Sequence, residues 1–240
     1  YQPQFDVGTR QLRGFEALAR WNDMELGAVS PDRFIPVAEE TRLIIPLGEW
    51  IMRNACTTLQ EWQSVHGFNG ILSVNISPIQ LKHSEFLDSL RKVLADTGIP
   101  PRSLELEITE GILINDFNES VRILEEIKAL GVGISLDDFG TGYSSLSYLQ
   151  YLPLTTLKID KSFIENITQT KSREFDITNA IVTLVNKLGL DTIAEGVETG
   201  EQLEAIREIK CKTIQGYLTG RPLPKKDCPA LIKSGIYTLE

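Results

Sequence analysis

The sequence predicts an α/β fold, a modified TIM-like (β/α)8 barrel with one antiparallel strand at its N-terminal hairpin. Three observations lead there. Eight short strand-like runs alternate with amphipathic helical stretches along all 240 residues, the rhythm of a barrel or a doubly wound sheet. A chain of that length is long for an ordinary domain but normal for one barrel, so 1–240 reads as a single domain. Only Val7 to Arg13 separates the first two runs. A parallel crossover needs about a dozen residues or more, so this pair must be an antiparallel hairpin. A doubly wound open sheet is the alternative, but no GxGxxG follows the first strand to favour it.

The strand runs are 2–6, 14–20, 71–76, 104–109, 132–137, 156–160, 191–195 and 213–217. Helical periodicity fills most of the gaps. Residues 49–65 carry Trp50, Ile51, Ala55, Leu59 and Trp62 near a 3.6 period, and 85–97 repeat it with Phe86, Leu87, Leu90, Val93 and Leu94. That second helix stops at Gly98, ahead of Pro100-Pro101; 118–130 stops at Gly131 and 175–188 at Gly189. Thr199 is placed to cap 200–209, and 224–233 closes the chain.

Composition narrows the function. Hydrophobic residues at 42% supply a sizeable core, while a net charge of −9 disfavours a nucleic-acid polymer as partner. The densest basic stretch is only Lys225-Lys226. An anionic ligand would therefore need bound cations to invert the local field. Cys56, Cys211 and Cys228 form no CxxC, and with no signal peptide they point to reducing cytoplasm. His66 and His83 stand alone, too few for a histidine-based zinc site. No apolar run approaches the ~20 residues of a membrane span, so no membrane contact is expected of this domain. The opening inside a strand-like stretch suggests an origin in a larger multidomain protein, whose full length could carry a membrane anchor.

Polar residues fall near the C-terminal ends of seven of the eight runs: Glu16, Asn75, Glu107, Asp137-Asp138, Lys158, Glu195 and Gln215. In a barrel those ends converge on one mouth, where active sites lie. Leu104, Leu106 and Ile108 share one face, so Glu105 and Glu107 must point inward, Glu107 nearer the top. Any one such residue is most simply a solvated carboxylate at a strand end. Seven in register, flanked by apolar residues, are not. The reversed first strand is expected to contribute none. Five converging carboxylates with one Asn and one Lys need raised pKa values or bound cations. Oxygen ligation favours hard ions, Mg²⁺ or Mn²⁺ first and Ca²⁺ as a further candidate. The chemistry indicated is metal-assisted attack on an anionic, phosphate-bearing substrate.

Ordered motifs then identify a family resemblance: Glu16-Ala17-Leu18-Ala19-Arg20; Asn75-Ile76-Ser77; Glu107-Ile108-Thr109-Glu110; Asp137-Asp138-Phe139-Gly140-Thr141-Gly142-Tyr143-Ser144-Ser145-Leu146; Lys158-Ile159-Asp160; Glu195-Gly196-Val197-Glu198; and Gln215-Gly216-Tyr217. Over essentially its whole length the chain resembles the EAL-domain family. The resemblance implies a barrel with one antiparallel strand that hydrolyses cyclic di-GMP to linear pGpG. It implies one metal on Glu16, Asn75, Glu107 and Asp137 and a second on Asp137, Asp138 and Glu195. Two ions ~3.5–4 Å apart would share and activate one water for in-line attack on phosphorus.

Lys158 would orient that water or stabilise the developing charge. Glu195 is alternatively the base, and Gln215 would hold water or substrate. Arg20, on the strand face of Leu18 and Glu16 by spacing, can fork onto a phosphate oxygen, against the plainer reading of a surface salt bridge. Leu18 and Gln2 resemble guanine contacts. Glu110 would anchor the loop after Asp138, Glu198 would give supporting contacts, and that loop with the following helix would form a homodimer interface. Ser144 is expected to cap a short helix over 145–151. Departures are minor: Gly111 stands where Ser is common, Lys161 where Arg is frequent, and 21–29 is slightly short. The rivals are a catalytically silent cyclic di-GMP receptor, a dimerising regulatory module, and an unrelated enolase-like barrel.

Overall fold

The computed structural model describes residues 1–240 except 114–115, 141–145, 168–171 and 238–240. Its strands are β1 (Gln2–Asp6), β2 (Leu12–Ala17), β3 (Trp21–Asp23), β4 (Gly27–Val29), β5 (Ile71–Asn75), β6 (Leu104–Thr109), β7 (Gly133–Phe139), β8 (Thr156–Ile159), β9 (Asp191–Glu195) and β10 (Thr213–Gln215). Eight of them close a barrel in the order β1-β10-β9-β8-β7-β6-β5-β2, leaving β3 and β4 as a separate hairpin. β1 is antiparallel to both neighbours, and every other barrel pair is parallel. The open-sheet alternative is thereby excluded. Closure leaves no sheet edge to protect.

The period-two alternation works as expected in β6. Leu104, Leu106 and Ile108 are buried towards the helices, while Glu105 and Glu107 are buried on the barrel axis, 2% and 1% exposed. Outside the barrel, Met52, Ala55, Cys56, Leu59 and Trp62 of the helix Ile44–His66 pack against Phe15 and Leu72 in the core. Phe86, Leu90 and Val93 form the buried stripe of Phe86–Thr97. Thr199 caps Gly200–Glu208 with a complete capping box, its side chain accepting from Gln202 N–H.

Some boundaries differ from the sequence reading, for local reasons. β2 runs from Leu12 to Ala17, so Leu18, Ala19 and Arg20 lie beyond the strand and lead into the β3–β4 hairpin. β10 stops at Gln215 because the chain then turns so that Leu218 N–H bonds the Val197 carbonyl. Residues 31–40 form a helix, Pro31–Glu40, which Pro36 and a mixed pattern concealed. Trp50, assigned to the apolar face of its helix, is 62% exposed; Met52 and Cys56 take the buried stripe instead. The short helix expected over 145–151 is present as Leu146–Leu149. The proposed Ser144 cap lies outside the described residues.

Gly14 is essential to the seam between β2 and β5. A Cβ there would stand 2.1 Å from the Ile71 carbonyl oxygen, so only glycine lets these two backbones approach as they do. The same seam places Glu16 and Asn75 near each other at the mouth.

Candidate metal centre

The parallel strands deliver Glu16, Asn75, Glu107, Asp137, Lys158, Glu195 and Gln215 to one end of the barrel by alternation, and Asp138 joins them there. Registers fix neighbours around the rim: Gln2 opposite Glu16, Asn75 beside Glu107, and Gln215 beside Glu195. The reversed strand does contribute, contrary to expectation. Because β1 is antiparallel, its beginning lies at the mouth, and Gln2 Oε1 accepts from Gln215 Nε2 at 3.4 Å.

Asp137 and Asp138 are consecutive, and in a regular strand their side chains would point to opposite faces. The structure resolves this with a bulge. Leu136 pairs with Leu157 and Phe139 with Ile159, so β7 holds one residue more than β8 across that interval. Asp138 sits at φ +53°, a left-handed conformation uncommon outside glycine. The bulge turns both carboxylates to the mouth, a use of bulges common beside functional sites. Asp138 N–H donates to Asp137 Oδ1 at 2.9 Å. Further on, Gly140 N–H donates to Glu110 Oε1 at 2.8 Å. Gly140 adopts φ +99°, and a Cβ there would meet the Phe163 ring at 2.4 Å. The expected dimer surface falls in part on 141–145, outside the described residues.

Lys158 is the electrostatic centre. Its Nζ, on a side chain 1% exposed, lies 2.8 Å from Glu195, 3.0 Å from Glu107, 3.1 Å from Asp137 and 3.6 Å from Glu16. Burial alone would lower its pKa, but Glu107, Glu16, Glu195 and Asp137 together hold it well above the ordinary lysine value. Burial and the adjacent Glu16 charge push Glu107 well upward. Glu16 moves the other way: burial opposes its ionisation, but Lys158 and hydrogen bonds from Gln215 and Asn75 outweigh it. Burial pushes Glu195 up to about 8, against the pull of Lys158. Burial and Asp137 raise Asp138. One ammonium cannot balance five carboxylates, so without cations the site must take up protons.

The residues suit divalent ions. One oxygen each from Glu16, Glu107 and Asp137 lie within 4.8 Å of one another, and so do oxygens from Asp137, Asp138 and Glu195, giving two triads that share Asp137. Glu107 Oε1 is buried with no hydrogen-bond partner, an orphaned acceptor that a cation would satisfy. Asn75 Nδ2 donates to Glu16 Oε1 at 2.7 Å and holds that carboxylate in place. These candidate groups all offer oxygen, as hard cations prefer.

A cleft of about 540 Å³ opens beside the cluster, lined by Leu18, Arg20, Glu39, Asn75, Ser77 and Asp138 among others. Arg20 is exposed in its wall, off the strand rather than along its face, and its Nη1 bonds the Ala19 carbonyl. No acidic partner takes it among the described residues, so the surface salt bridge weighed for it is not formed. Glu198 is exposed at the rim; its backbone N–H donates to Gln202 Oε1.

Among the polar interior residues not singled out from sequence are Gln4, wholly buried, and Arg13. Arg13 stands three residues before Glu16, which on a regular strand sends it to the opposite face. Here Gln4 pairs with Gly14 and Phe5 with Leu12, so Arg13 is the extra residue of a second bulge. It reaches inward to Glu105 at 3.0 Å, Gln4 Oε1 at 2.6 Å and Thr156 Oγ1 at 3.2 Å. A basic residue adjoining a tight glycine was the one available signal.

The EAL domain profile matches residues 1–222. The bifunctional diguanylate cyclase/cyclic di-GMP phosphodiesterase MucR of Pseudomonas aeruginosa is 41% identical over 97% of this chain and 34% of its own length. The cyclic di-GMP phosphodiesterase NbdA of the same organism is 41% identical over 93% of this chain and 28% of its own. The chain thus spans about a third of the length of the curated relatives it matches. Among solved structures, a PaMucR phosphodiesterase–c-di-GMP complex superposes with a TM-score of 0.89 at 41% identity, covering 95% of this chain and 92% of that one. The EAL enzyme Bd1971, in its cAMP- and cyclic-di-GMP-bound form, gives 0.92 at 33% identity over 97% and 64%. With a matching profile along nearly its whole length and a barrel of the same form, the chain belongs to the EAL domain family.

Proposed function

We propose that this chain is a metal-dependent phosphodiesterase that hydrolyses cyclic di-GMP to linear pGpG with two divalent cations, Mg²⁺ or Mn²⁺. The observation that carries the reading is the pair of carboxylate triads sharing Asp137 around one buried lysine. Glu16, Asn75, Glu107 and Asp137 would hold one ion, and Asp137, Asp138 and Glu195 the other. When bound, the ions supply charge neutralisation and a water acidic enough to act as nucleophile near neutral pH.

The chain's own groups do the rest. Lys158 Nζ, kept charged by its ring of carboxylates, is positioned to donate to the attacking water and to charge growing on the phosphoryl oxygens. Glu195, 2.8 Å from that ammonium, would alternatively act as the base that takes the proton from the water instead of holding the second ion. Arg20, with no acidic partner among the described residues, would offer its fork to the phosphodiester. Leu18 and Gln2 would contact a guanine, Gln215 would fix Glu16 and water, and Glu110 would set the loop carrying Asp138. Glu198 would support the rim. Three buried, unpaired cysteines accord with a reducing compartment, and no described helix is long and apolar enough to cross a membrane. Pairing of two copies through the loop and helix after Asp138 belongs to the same reading.

The deciding assay incubates the purified chain with cyclic di-GMP and Mg²⁺ or Mn²⁺ and separates the nucleotides by chromatography. Appearance of pGpG supports the proposal. Binding of cyclic di-GMP with no pGpG under either metal would replace it with the silent-receptor reading.

A further inference from the structure

Below the carboxylate cluster the barrel holds a second polar layer, and the two layers are joined by a hydrogen-bond chain of fixed direction. Arg13 anchors the lower end. Its guanidinium is held by Glu105, which also accepts from Ser73 Oγ at 3.0 Å and Thr156 Oγ1 at 2.5 Å. Arg13 Nη1 donates to Gln4 Oε1 at 2.6 Å. Gln4 Nε2 donates to Gln215 Oε1 at 2.9 Å, and Gln215 Nε2 donates to Glu16 Oε2 at 2.6 Å.

The two ends determine the direction of everything between them. A guanidinium can only donate and a carboxylate can only accept. Gln4 must therefore turn its oxygen down and its amide nitrogen up. Gln215 must then do the same, which presents its NH₂ to Glu16. Turning either amide over would set two oxygens or two NH₂ groups face to face at both of its ends. In a buried layer each such mismatch leaves polar groups unsatisfied. Gln4 is 0% exposed and Gln215 4%, so water cannot relieve it.

We propose that Gln4, oriented by Arg13, is a positioning residue that fixes the Gln215 amide and through it the metal-facing carboxylate of Glu16. This rests on the reading of Glu16 as a metal ligand. The relay sets which oxygen of Glu16 is tied back: Oε2 by Gln215 and Oε1 by Asn75. The carboxylate is then presented in one orientation before any cation arrives. Groups that orient a ligand in this way typically change metal affinity by about 10- to 100-fold when removed.

The test is Mn²⁺ binding to the whole chain, read by electron paramagnetic resonance and calorimetry without substrate. Gln4→Met keeps volume and deletes both amide bonds; it should weaken Mn²⁺ binding about tenfold. Gln4→Glu keeps the Arg13 contact but offers only an acceptor to Gln215, which must turn its own oxygen towards Glu16. This variant should weaken binding as well, and it stands in if Gln4→Met does not fold. In a Gln215→Ala background Gln4→Met should have no further effect on Mn²⁺ affinity, because the relay is already cut.

A residue that merely packed the core would lower the melting temperature and leave affinity alone. Affinity within about twofold of wild type in both Gln4 variants therefore overturns the proposal. Additive losses with Gln215→Ala overturn it equally. Glu16→Gln, measured in parallel, separates the two levels: unchanged Mn²⁺ binding there refutes the ligand assignment itself, whereas weakened binding there with unaffected Gln4 variants refutes the relay alone.

Discussion

Lys158→Met is the most informative single perturbation, because it removes one charge and little volume. Its ammonium lies 2.8–3.1 Å from Glu195, Glu107 and Asp137. At an effective dielectric near 20, one unit pair at 3 Å is worth about 5–6 kcal/mol before desolvation. Desolvating the ions offsets much of that, and removing one partner of a buried ion pair costs about 3–5 kcal/mol net. For 240 residues an unfolding entropy near 2.1 cal/mol/K per residue gives about 0.5 kcal/mol per degree, so the metal-free variant should melt roughly 6–10 °C lower. Protonation softens the loss. Glu107 and Glu195 are already displaced upward, and without Lys158 they hold protons more firmly. The deficit should accordingly be larger at pH 8 than at pH 6. Excess Mn²⁺ should recover most of it, since the ion replaces the missing counter-charge, while hydrolysis stays lost because no ammonium faces the water. The assay is thermal unfolding by circular dichroism in EDTA at both pH values and again with Mn²⁺. A shift below about 2 °C at pH 8 in EDTA would refute the claim that this lysine balances the cluster.

Three further outcomes follow from the same geometry. Glu16→Ala should cut cyclic di-GMP turnover by orders of magnitude with the circular dichroism spectrum unchanged; near-normal turnover contradicts its place in the site. Gly14→Ala should lower stability by about 1–3 kcal/mol, because its methyl would press on the Ile71 carbonyl across the β2–β5 seam, and an unchanged melting curve would contradict that close approach. Glu195 has a folded pKa of about 8 against an ordinary 4.5, so between those values the folded, metal-free protein binds more protons than the unfolded chain. Its contribution is complete below the unfolded value and is lost as pH rises through about 8, so metal-free stability should fall across that window. Cation binding at pH 7 must expel the proton, which calorimetry in buffers of different ionisation heat will register; absence of proton release would be inconsistent with a protonated Glu195.

The barrel and its acidic mouth were legible because both rest on period-two alternation, which needs only the local run of residues. Leu104, Leu106 and Ile108 declare one face, and Glu105 and Glu107 follow inward. Where the alternation breaks, sequence reasoning had to lean on residue type. Asp137-Asp138 was found because two adjacent acids near a strand end are conspicuous, although the bulge that brings them together was not foreseen. Arg13 breaks the period in the same way, at the other bulge, but a single arginine beside a hairpin looks like surface. Gln4 was hidden differently. Its role depends on facing Gln215 across barrel closure, 211 residues away in the chain, and no local pattern carries that pairing.

The two layers also differ in charge, and this matters for how the site behaves. In the lower layer Arg13 and Glu105 neutralise each other, and Ser73, Thr156 and Gln4 bond to the pair. The upper layer has five carboxylates and one ammonium, so it must bind cations or protons. The lower layer does not relieve that demand: Glu105 adds a small upward push to Glu107, and the layer's other outward influence is hydrogen-bond direction through Gln4. The charge excess that attracts metal and the geometry that receives it are thus supplied by different residues. Substitutions at Lys158 should therefore show in hydrolysis and in stability and its pH dependence, and substitutions at Gln4 mainly in metal affinity.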